Sequence, residues 1–380
     1  MDFRPSEEQQ ILRRTVREFA EAEMRPHVMA WDEAQQFSPD LLPKLAALGL
    51  MGIQFADEYG GAAMSAVDYC ICIEELARVD PGVALSVAAH NGLCAGHINM
   101  FGNEAQKATY LPRLVRGEVL GAWGLTEAGA GSDAAAMRTT AARQAECWII
   151  NGAKAFITHG AVGGVMVVMA VTDRSKGHRG ISAFVLEHGT PGMRAGKKEN
   201  KLGMRASDTS EVIFEDCRLP AAQMLGEEGQ GFIDTLQVLD AGRIGIAALS
   251  VGLAQGAYEA ARAYAKERHQ FGQPIAAFQA IRWKLADAAT RIEASRLLTY
   301  RAAFLRDRGR RMTKESAMAK LYASETAVRV ADDCVQIHGG YGFVKDYPAE
   351  KYFRDVKLLT IGEGTSEIQR LVIARQLLGS

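Results

Sequence analysis

Residues 148–157, WIINGAKAFI, carry the strongest β pattern in the chain and decide how the rest divides. Two runs rich in β-branched or aromatic residues flank Asn151-Gly152, a dipeptide that favours the two-residue turn of a β-hairpin. Further short runs of the same kind follow at 165–171, 181–186 and 211–214. Strands at this spacing, without long helices between them, predict a compact antiparallel sheet or barrel in the middle of the chain.

The segments on either side of this sheet have helical patterns. Ser6 and Gln9 have the spacing of a capping box at the start of a first helix. After the sheet, a glycine- and alanine-rich segment at 232–268 is followed by long helical patterns at 278–308 and 313–337 and by a short last helix. Four helices with short connections predict a bundle.

We therefore expect an α+β fold that is mostly α, in three domains. An N-terminal helical domain covers 1–118, a middle antiparallel β domain covers 119–228, and a C-terminal four-helix bundle covers 229–380. A chain of 380 residues is long enough for two or three domains, each with its own core.

The composition argues against several classes of protein. Lys and Arg total 44 against 45 Asp and Glu, and the sequence has no sustained basic stripe, which argues against nucleic acid as the main partner. The N-terminus has no secretory signal pattern, and the longest apolar stretch, 165–171, is far shorter than the roughly 20 residues of a membrane span. Six scattered cysteines and the lack of C-x-x-C or H-E-x-x-H motifs predict buried thiols and no metal site. We expect a cytoplasmic protein without a membrane span.

Near the C-terminus a single acid, Glu363, stands between Gly362 and Gly364 just before a helical pattern. Ser366 and Gln369 have capping-box spacing, which predicts that Ser366 caps this helix. The glycines let the backbone turn sharply and let another molecule approach closely, so Glu363 is a candidate general base. The segment alone fits equally well a Glu that complements the positive end of the helix dipole.

A glycine-rich loop at 126–133, TEAGAGSD, is the first candidate binding loop. Gly129, Gly131 and Ala134 fit the G-x-G-x-x-A fingerprint of a dinucleotide site, but no long helix begins here and no parallel βαβ unit surrounds it. We therefore disfavour a Rossmann site and expect a loop whose backbone N–H groups face a polar ligand.

Two helix ends supply further candidates. The stretch 268–274, RHQFGQP, places a cation and an aromatic beside a turn, which suits a phosphate or simply a helix C-terminus. The stretch 336–342, QIHGGYG, ends a helix in glycines, where a flat ligand could lie close. Apart from thiols, no side chain accepts electrons, so a redox reaction at Glu363 would need a bound cofactor.

The order of these segments is more specific than any one of them. The chain resembles the acyl-CoA dehydrogenase family over nearly its full length, most closely the short-chain and short/branched-chain members. The resemblance rests on LTEAGAGSD at 125–133, KAFIT at 154–158, DAGRI at 240–244, ERHQFG at 267–272, QIHGG at 336–340 and GEGTS at 362–366. The segments RLLTY at 296–300 and KESAMAK at 314–320 also match the short-chain members.

The resemblance implies non-covalent FAD between the β domain and the bundle, usually in a homotetramer. It assigns FAD contacts to Trp123, Leu125, Thr126, Gly131, Ser132, Phe156, Thr158, Arg268, Gln270, Phe278, Gln279, Gln336, Gly339, Gly340, Thr365 and Glu367. The residues among these that would reach the FAD of a neighbouring subunit are Arg268, Gln270, Gln336, Gly339 and Gly340, whereas Thr365 and Glu367 would close over the flavin of their own subunit. It assigns acyl-CoA contacts to Ser132, Asp240, Arg243 and Gly364.

The implied reaction is α,β-dehydrogenation of a short- to medium-chain acyl-CoA to the trans-2-enoyl-CoA. Glu363 would take the α proton while hydride leaves the β carbon for the flavin, and electron-transfer flavoprotein would accept the electrons. In the family the Glu backbone N–H binds the thioester carbonyl, an oxyanion-type contact worth on the order of 3 kcal/mol. Burial would raise the pKa of Glu363 from about 4.3 toward the operating pH.

Four positions depart from the family pattern or refine it. Gly362 stands where many members have Tyr, which thins the wall beside the base. Phe156 replaces a common Trp, and Ala128 replaces a usual Pro. Gly242 is small where the isovaleryl type has its base, which supports Glu363 and argues against isovaleryl-CoA as substrate.

Other functions remain as alternatives. On the same fold, the protein could oxidise a branched, cyclic or dicarboxylic acyl-CoA, or use oxygen as an acyl-CoA oxidase. From another class, a non-catalytic flavin-binding or helical scaffold would keep the FAD loops but should lose the base, and Glu363 is present.

Overall fold

The computed structural model describes residues 4–379. Its N-terminal third is helical, and Ser6 starts the first helix with the predicted capping box, accepting from the Gln9 N–H while the Gln9 side chain returns to the Ser6 N–H. Asn103 makes the same arrangement with Gln106. The helices are α1 (Glu7–Phe19), α2 (Val28–Ala34), α3 (Leu41–Ala47), α4 (Ala66–Val79), α5 (Pro81–Ala89), α6 (Gly96–Phe101) and α7 (Glu104–Val115).

Between α5 and α6 the helix does not stop but widens into a π-helical turn at His90–Ala95. Such turns are rare, and they are frequently found at functional sites. Four of its six residues are buried, and the two half-buried ones, Gly92 and Leu93, face a glycine-rich side of the C-terminal bundle.

The middle of the chain forms one eight-stranded sheet. Its strands are β1 (Gly121–Gly124), β2 (Thr140–Gln144), β3 (Cys147–Thr158), β4 (Val165–Val171), β5 (Ile181–Glu187), β6 (Met193–Lys198), β7 (Thr209–Pro220) and β8 (Met224–Leu225). The order is β6-β7-β3-β2-β4-β5-β8, with β1 beside β4. The prediction of a wholly antiparallel sheet is wrong in one respect, because β1 runs parallel to β4 and one β2–β4 pair is also parallel.

The predicted hairpin at Asn151-Gly152 is also wrong. Both residues lie inside β3, and the hairpin turn comes six residues earlier, between Gln144 and Cys147. Gly152 instead marks a register shift against β7, and a side chain there would come within 2.7 Å of the Thr139 backbone. The Asn-Gly dipeptide therefore serves a β-bulge, another structure that accepts glycine where two backbones approach closely.

The C-terminal part is the predicted four-helix bundle. Its helices are α8 (Gly231–Glu267), α9 (Gln279–Asp307), α10 (Thr313–His338) and α12 (Ser366–Leu378), with the short α11 (Ala349–Asp355) before the last. A two-stranded ribbon, β9 (His269–Gln270) with β10 (Gln273–Pro274), joins α8 to α9. The three-domain α+β fold predicted from the sequence is confirmed.

Helix α8 is the central element of this bundle. Side chains added at Gly252 and Gly256 would collide with the α4 carbonyl groups of Glu74 and Arg78, so the glycines let the two helices pack closely. By length and apolar composition α8 could cross a membrane, but 78% of its most apolar window is buried against the rest of the chain. Burial of this extent is what a central core helix requires.

Candidate active site

Glu363 occupies a strained turn between α11 and α12. Its φ is +52° and that of Gly364 is +95°, so two consecutive residues are left-handed, a conformation that a residue with a side chain rarely adopts. The predicted cap at Ser366 is wrong by one residue. Thr365 caps α12 by accepting from the Ile368 N–H, and the Gln369 side chain turns back to the carbonyl groups of Gly364 and Glu363.

The carboxylate of Glu363 faces Gly242 on α8. A Cβ at position 242 would overlap Oε2 of Glu363, and Leu93 of the π-helical turn borders the same space. Oε2 is enclosed and has no hydrogen-bond partner within residues 4–379. Burial raises the pKa of Glu363 to about 7, against the opposing charges of Lys320 and Arg243. A carboxylate tuned this way can serve as a general base near neutral pH.

The backbone N–H of Glu363 is also free of acceptors in the described part of the chain. It therefore remains able to bind an oxygen atom of a ligand held next to the carboxylate. A donor and a base on one residue can polarise a carbonyl group and remove the neighbouring proton.

Asp240 and Arg243, both predicted to contact substrate, lie one turn apart on α8 beside the base. Arg243 Nη1 donates to Asp240 Oδ1 at 2.6 Å, and Thr313 Oγ1 donates to Asp240 Oδ2 at 2.5 Å. Arg243 Nε is buried without a partner among the described residues. This unused donor, close to Glu363, suits a polar group of a bound ligand.

The glycine-rich loop forms a tight turn in which Glu127 and Ala130 exchange two backbone hydrogen bonds. No long helix follows it, only a 3-10 turn at Ala134–Ala136, so the geometry of a Rossmann site is missing here. Gly131 and Ser132 are exposed at the tip, and a Cβ at Gly131 would meet nothing within 4 Å. Leu125 and Thr126 lie at its base, buried and half-buried.

A buried ion pair holds this loop against β3. Lys154 Nζ donates to Glu127 Oε1 at 2.8 Å and to the Leu125 carbonyl at 3.1 Å. Glu127 also accepts the backbone N–H groups of Arg138 and Thr139. The pair fixes the direction in which the loop presents its backbone.

Phe156, the predicted aromatic face for the cofactor, lies next to this loop. Its φ is +59° and its side chain is 63% exposed, at a second register shift between β3 and β7. Strained, exposed aromatic residues of this kind indicate a binding site. Thr158 is half-buried two residues on, and Trp123 on β1 donates from Nε1 to His97 at 3.0 Å.

Four further candidates lie in a second place, a cleft of about 630 Å³ at the far end of α8 and α10. It is lined by Arg268, Gln270, Gly339 and Gly340, and Arg268 stacks over the Tyr341 ring with its guanidinium carbon 5.6 Å from the ring centre. The glycine-rich loop does not line this cleft. The residues predicted to bind the cofactor therefore lie in two separate places on one chain.

Five predicted residues lie outside both linings. Gln336 and Gln279 are exposed, Phe278 is half-buried with its ring against that of Phe271, and Thr365 is used as the helix cap. Glu367 is exposed in the first turn of α12. For these residues a cofactor contact remains a prediction.

Sequence reasoning missed two buried residues near the base. Lys320 on α10 donates to the Gly364 carbonyl at 2.6 Å, and Tyr69 on α4 is 2% exposed and electrostatically coupled to Glu363. Lys320 lies in a helical stretch whose other residues are mostly core, so only its charge at a buried helical position could have drawn attention. Tyr69 gave no signal, since a buried aromatic residue in a helix is ordinary.

Within residues 4–379, no group of three or more His, Cys, Asp or Glu side chains could hold a metal ion. The cysteines in this part of the chain are all free thiols, five buried and Cys147 partly so, as predicted.

Comparison with known proteins gives the same three-part division. Sequence models of the acyl-CoA dehydrogenase N-terminal, middle and C-terminal domains match residues 6–118, 122–217 and 229–378. A short-chain-specific acyl-CoA dehydrogenase of Clostridium acetobutylicum is 47% identical over 99% of this chain and all of its own.

Solved structures agree with these matches. Butyryl-CoA dehydrogenase of Megasphaera elsdenii covers 100% of both chains at 43% identity and a TM-score of 0.98. A chain in a structure described as the electron transferring flavoprotein of Acidaminococcus fermentans covers 100% of both chains at 46% identity and a TM-score of 0.99. With all three domains matched in order, the chain belongs to the acyl-CoA dehydrogenase family.

Proposed function

We propose that the protein is an FAD-dependent acyl-CoA dehydrogenase that converts a short-chain acyl-CoA to the trans-2-enoyl-CoA. One observation carries the proposal: the enclosed, unpaired carboxylate of Glu363, whose pKa is raised to about 7 and which faces the space at Gly242. Removing a proton next to a thioester carbonyl requires a base of this strength in a dry site.

The residues present fit FAD. Gly131 and Gly340 have no atom within 4 Å of an added Cβ, so a ligand can approach their backbone, and Phe156 offers an exposed aromatic face. Arg268 at the second cleft can neutralise a phosphate group. Bound there, FAD supplies the acceptor for the two electrons that leave the substrate.

Residues of the protein would bind and orient the substrate and remove its α proton. The Glu363 N–H would bind the thioester carbonyl and acidify the α carbon, and the carboxylate would take the α proton. Arg243, with its spare Nε donor, would orient the substrate beside the base. Gly242 leaves the room that the acyl group needs between α8 and the π-helical turn.

Electron-transfer flavoprotein is the proposed electron acceptor, supported by the near-identical fold of the chain in the electron-transferring-flavoprotein structure. We also propose a homotetramer, in which a neighbouring copy completes the cofactor site. The separation of the two groups of predicted cofactor residues supports this. So do Phe271 and Phe343, which are 91% and 87% exposed and adjoin the cleft residues Gln270 and Val344 in the sequence. Light scattering of the purified flavoprotein should give four copies, and a monomer containing FAD would contradict it. A cytoplasmic location also stays a proposal.

Tyr69 favours short acyl chains. Its hydroxyl oxygen would lie 2.6 Å from a Cβ at Gly245 and 3.6 Å from one at Gly92, so it closes the space one helical turn beyond Gly242. One turn of α8 is about 5 Å long, roughly the length of four carbon–carbon bonds. A chain much longer than butyryl would have to displace this buried ring.

A second candidate substrate class, branched short-chain acyl-CoA, is favoured by Gly362. A Cβ there would make only ordinary contacts of 3.5–3.7 Å with Leu358, and the residue is not left-handed, so the backbone does not require glycine. The glycine instead leaves room beside the base for a methyl branch.

An anaerobic panel of thioesters tests both. Mixing the yellow protein with butyryl-CoA should bleach the flavin, octanoyl-CoA should react far more slowly, and isobutyryl-CoA or 2-methylbutyryl-CoA measures the room beside Gly362. No bleaching by any thioester would contradict dehydrogenation. Rapid peroxide formation in air would assign an oxidase instead. Gly362→Tyr should suppress the branched substrates about tenfold more than butyryl-CoA if the glycine provides that room.

A further inference from the structure

The turn that carries Glu363 is held by a side chain from another helix. A left-handed residue other than glycine, such as Glu363, costs roughly 1–3 kcal/mol and persists only where its surroundings fix it. Here the Gly364 carbonyl accepts two hydrogen bonds, from Lys320 Nζ at 2.6 Å and from Gln369 Nε2 at 2.9 Å. Gln369 belongs to α12 itself, so Lys320 is the contact that ties the turn to α10.

Lys320 is an unusual choice for this contact. Its side chain is completely buried, and burial lowers its pKa to about 8 although the nearby Glu363 and Glu367 carboxylates oppose the shift. A buried ammonium group is costly unless it is paired. A neutral donor such as Gln could bond the same carbonyl, so the charge has a further use.

The ammonium group does not bond the carboxylate next to it. Its recorded partner is the Gly364 carbonyl, and Glu363 Oε2 is left unpaired. A direct ion pair would stabilise the carboxylate and make it a weak base. At its present place the charge lowers the pKa of Glu363 only partly, leaving it near 7.

We propose that Lys320 is a positioning residue for the base, holding the left-handed turn by the Gly364 carbonyl and keeping its charge beside, but not on, the Glu363 carboxylate. The inference rests on the proposed function of Glu363. It goes beyond that function by assigning the orientation of the base, and part of its strength, to a residue that does not touch the substrate.

The charged and titratable groups that face Glu363 determine how its pKa changes when one of them is removed. Arg243 approaches from α8, Lys320 from α10 and Tyr69 from α4. Two of them are cations, and either one favours the ionised carboxylate. Removing the Lys320 charge therefore raises the pKa of Glu363, so the acidic limb of the pH–rate profile moves to higher pH.

The experiment compares the holoenzyme with Lys320→Met, Lys320→Gln and a control, Lys314→Met. Lys314 lies on the same helix, is half-exposed, and has no recorded contact with the turn. For each protein, kcat and KM for butyryl-CoA are measured from pH 5.5 to 9, with FAD content and melting temperature.

Lys320→Met should lower kcat roughly ten- to hundredfold, as a displaced reacting group does, with KM changed by less than about threefold. Its acidic limb should move upward, and its FAD content should stay near one per chain. Lys320→Gln keeps a donor without the charge, so it should regain part of kcat but keep the shifted limb. Lys314→Met should match the parent.

Three results would overturn the inference. The first is a pH–rate profile whose acidic limb is not shifted in either Lys320 variant. The second is a higher KM and a lower FAD content with an unchanged kcat. If Lys320→Met does not fold, a parental pH profile in Lys320→Gln is the third. Failure of the proposed function is seen separately, as turnover that survives in Glu363→Gln.

Discussion

In two places within residues 4–379, a buried lysine lies next to a glutamate, and the two glutamates have opposite properties. In the β domain, Lys154 bonds the Glu127 carboxylate directly, and two backbone N–H groups bond it as well. In the bundle, Lys320 lies near the Glu363 carboxylate but bonds the next carbonyl group. Although burial alone would raise it, the pKa of Glu127 is lowered by Lys154 and these hydrogen bonds, whereas burial raises that of Glu363 to about 7.

The difference shows that residue type does not decide what a buried carboxylate does. Glu127 uses both of its oxygen atoms to hold a loop, so nothing is left to react. Glu363 has an unpaired Oε2 and a strained backbone, and neither is stable without the surrounding contacts. A satisfied pair supports structure, and an unsatisfied one can carry out chemistry.

The largest effect should come from removing the reactive carboxylate. Glu363→Gln keeps the shape of the side chain but cannot accept the proton, so kcat for butyryl-CoA should fall by about 10³-fold or more. The flavin spectrum and FAD content should be unchanged, which separates loss of the base from loss of the cofactor. Near-normal turnover would show that Glu363 is not the base and that its carboxylate is no more reactive than that of Glu127.

Breaking the satisfied pair should affect stability instead. Lys154→Met leaves Glu127 buried without its cation, which typically costs about 3–5 kcal/mol. The melting temperature of the holoenzyme should fall accordingly. The double variant Lys154→Met with Glu127→Gln should regain part of the loss, and equal losses in both would show that the two side chains are not coupled.

The pH dependence of kcat/KM should report the reactive carboxylate. The free protein must lose the Glu363 proton before it can act, so kcat/KM should rise about tenfold per unit below pH 7 and level off above. A limb near the ordinary Glu value of about 4.3 would mean that the base is not desolvated.

A smaller effect should appear in stability against pH. Because the folded protein holds the Glu363 proton more tightly than the unfolded chain, this residue stabilises fully below about pH 4.5 and loses its contribution as pH rises through 7. Glu363→Gln has no such loss, so its melting temperature relative to the parent should increase from pH 5 to pH 8. The corresponding gain in the free energy of unfolding, relative to the parent, should be on the order of 1–3 kcal/mol. A difference that stays constant with pH would contradict the assignment.

The sequence predicted the fold well because the fold depends on local or ordered signals. Helix periodicity, caps such as Ser6, and the order of the glycine loops are all written in short segments. What it could not show are relations between distant segments. The Asn151-Gly152 bulge depends on the approach of Thr139, and the parallel β1–β4 pair depends on chain topology.

The same reason explains the missed site residues. Lys320 and Glu363 are 43 positions apart, and only the packing of α10 against the turn brings them together. Tyr69 meets Gly245 from a different domain. The residues expected to bind the cofactor were predicted one by one, but their division between two places on one chain follows only from where α8 and α10 end.

The number of residues in the π-helical turn at His90–Ala95 determines how close Gly92 and Leu93 come to Gly242. A π turn accommodates one residue more than an α turn, so deleting one residue there would convert it to a regular α turn without the bulge. Leu93 and Gly92 would no longer face Gly242 as they do now. A single insertion or deletion in this helix, rather than a change of side chain, is therefore a direct way to reshape the space beside the base.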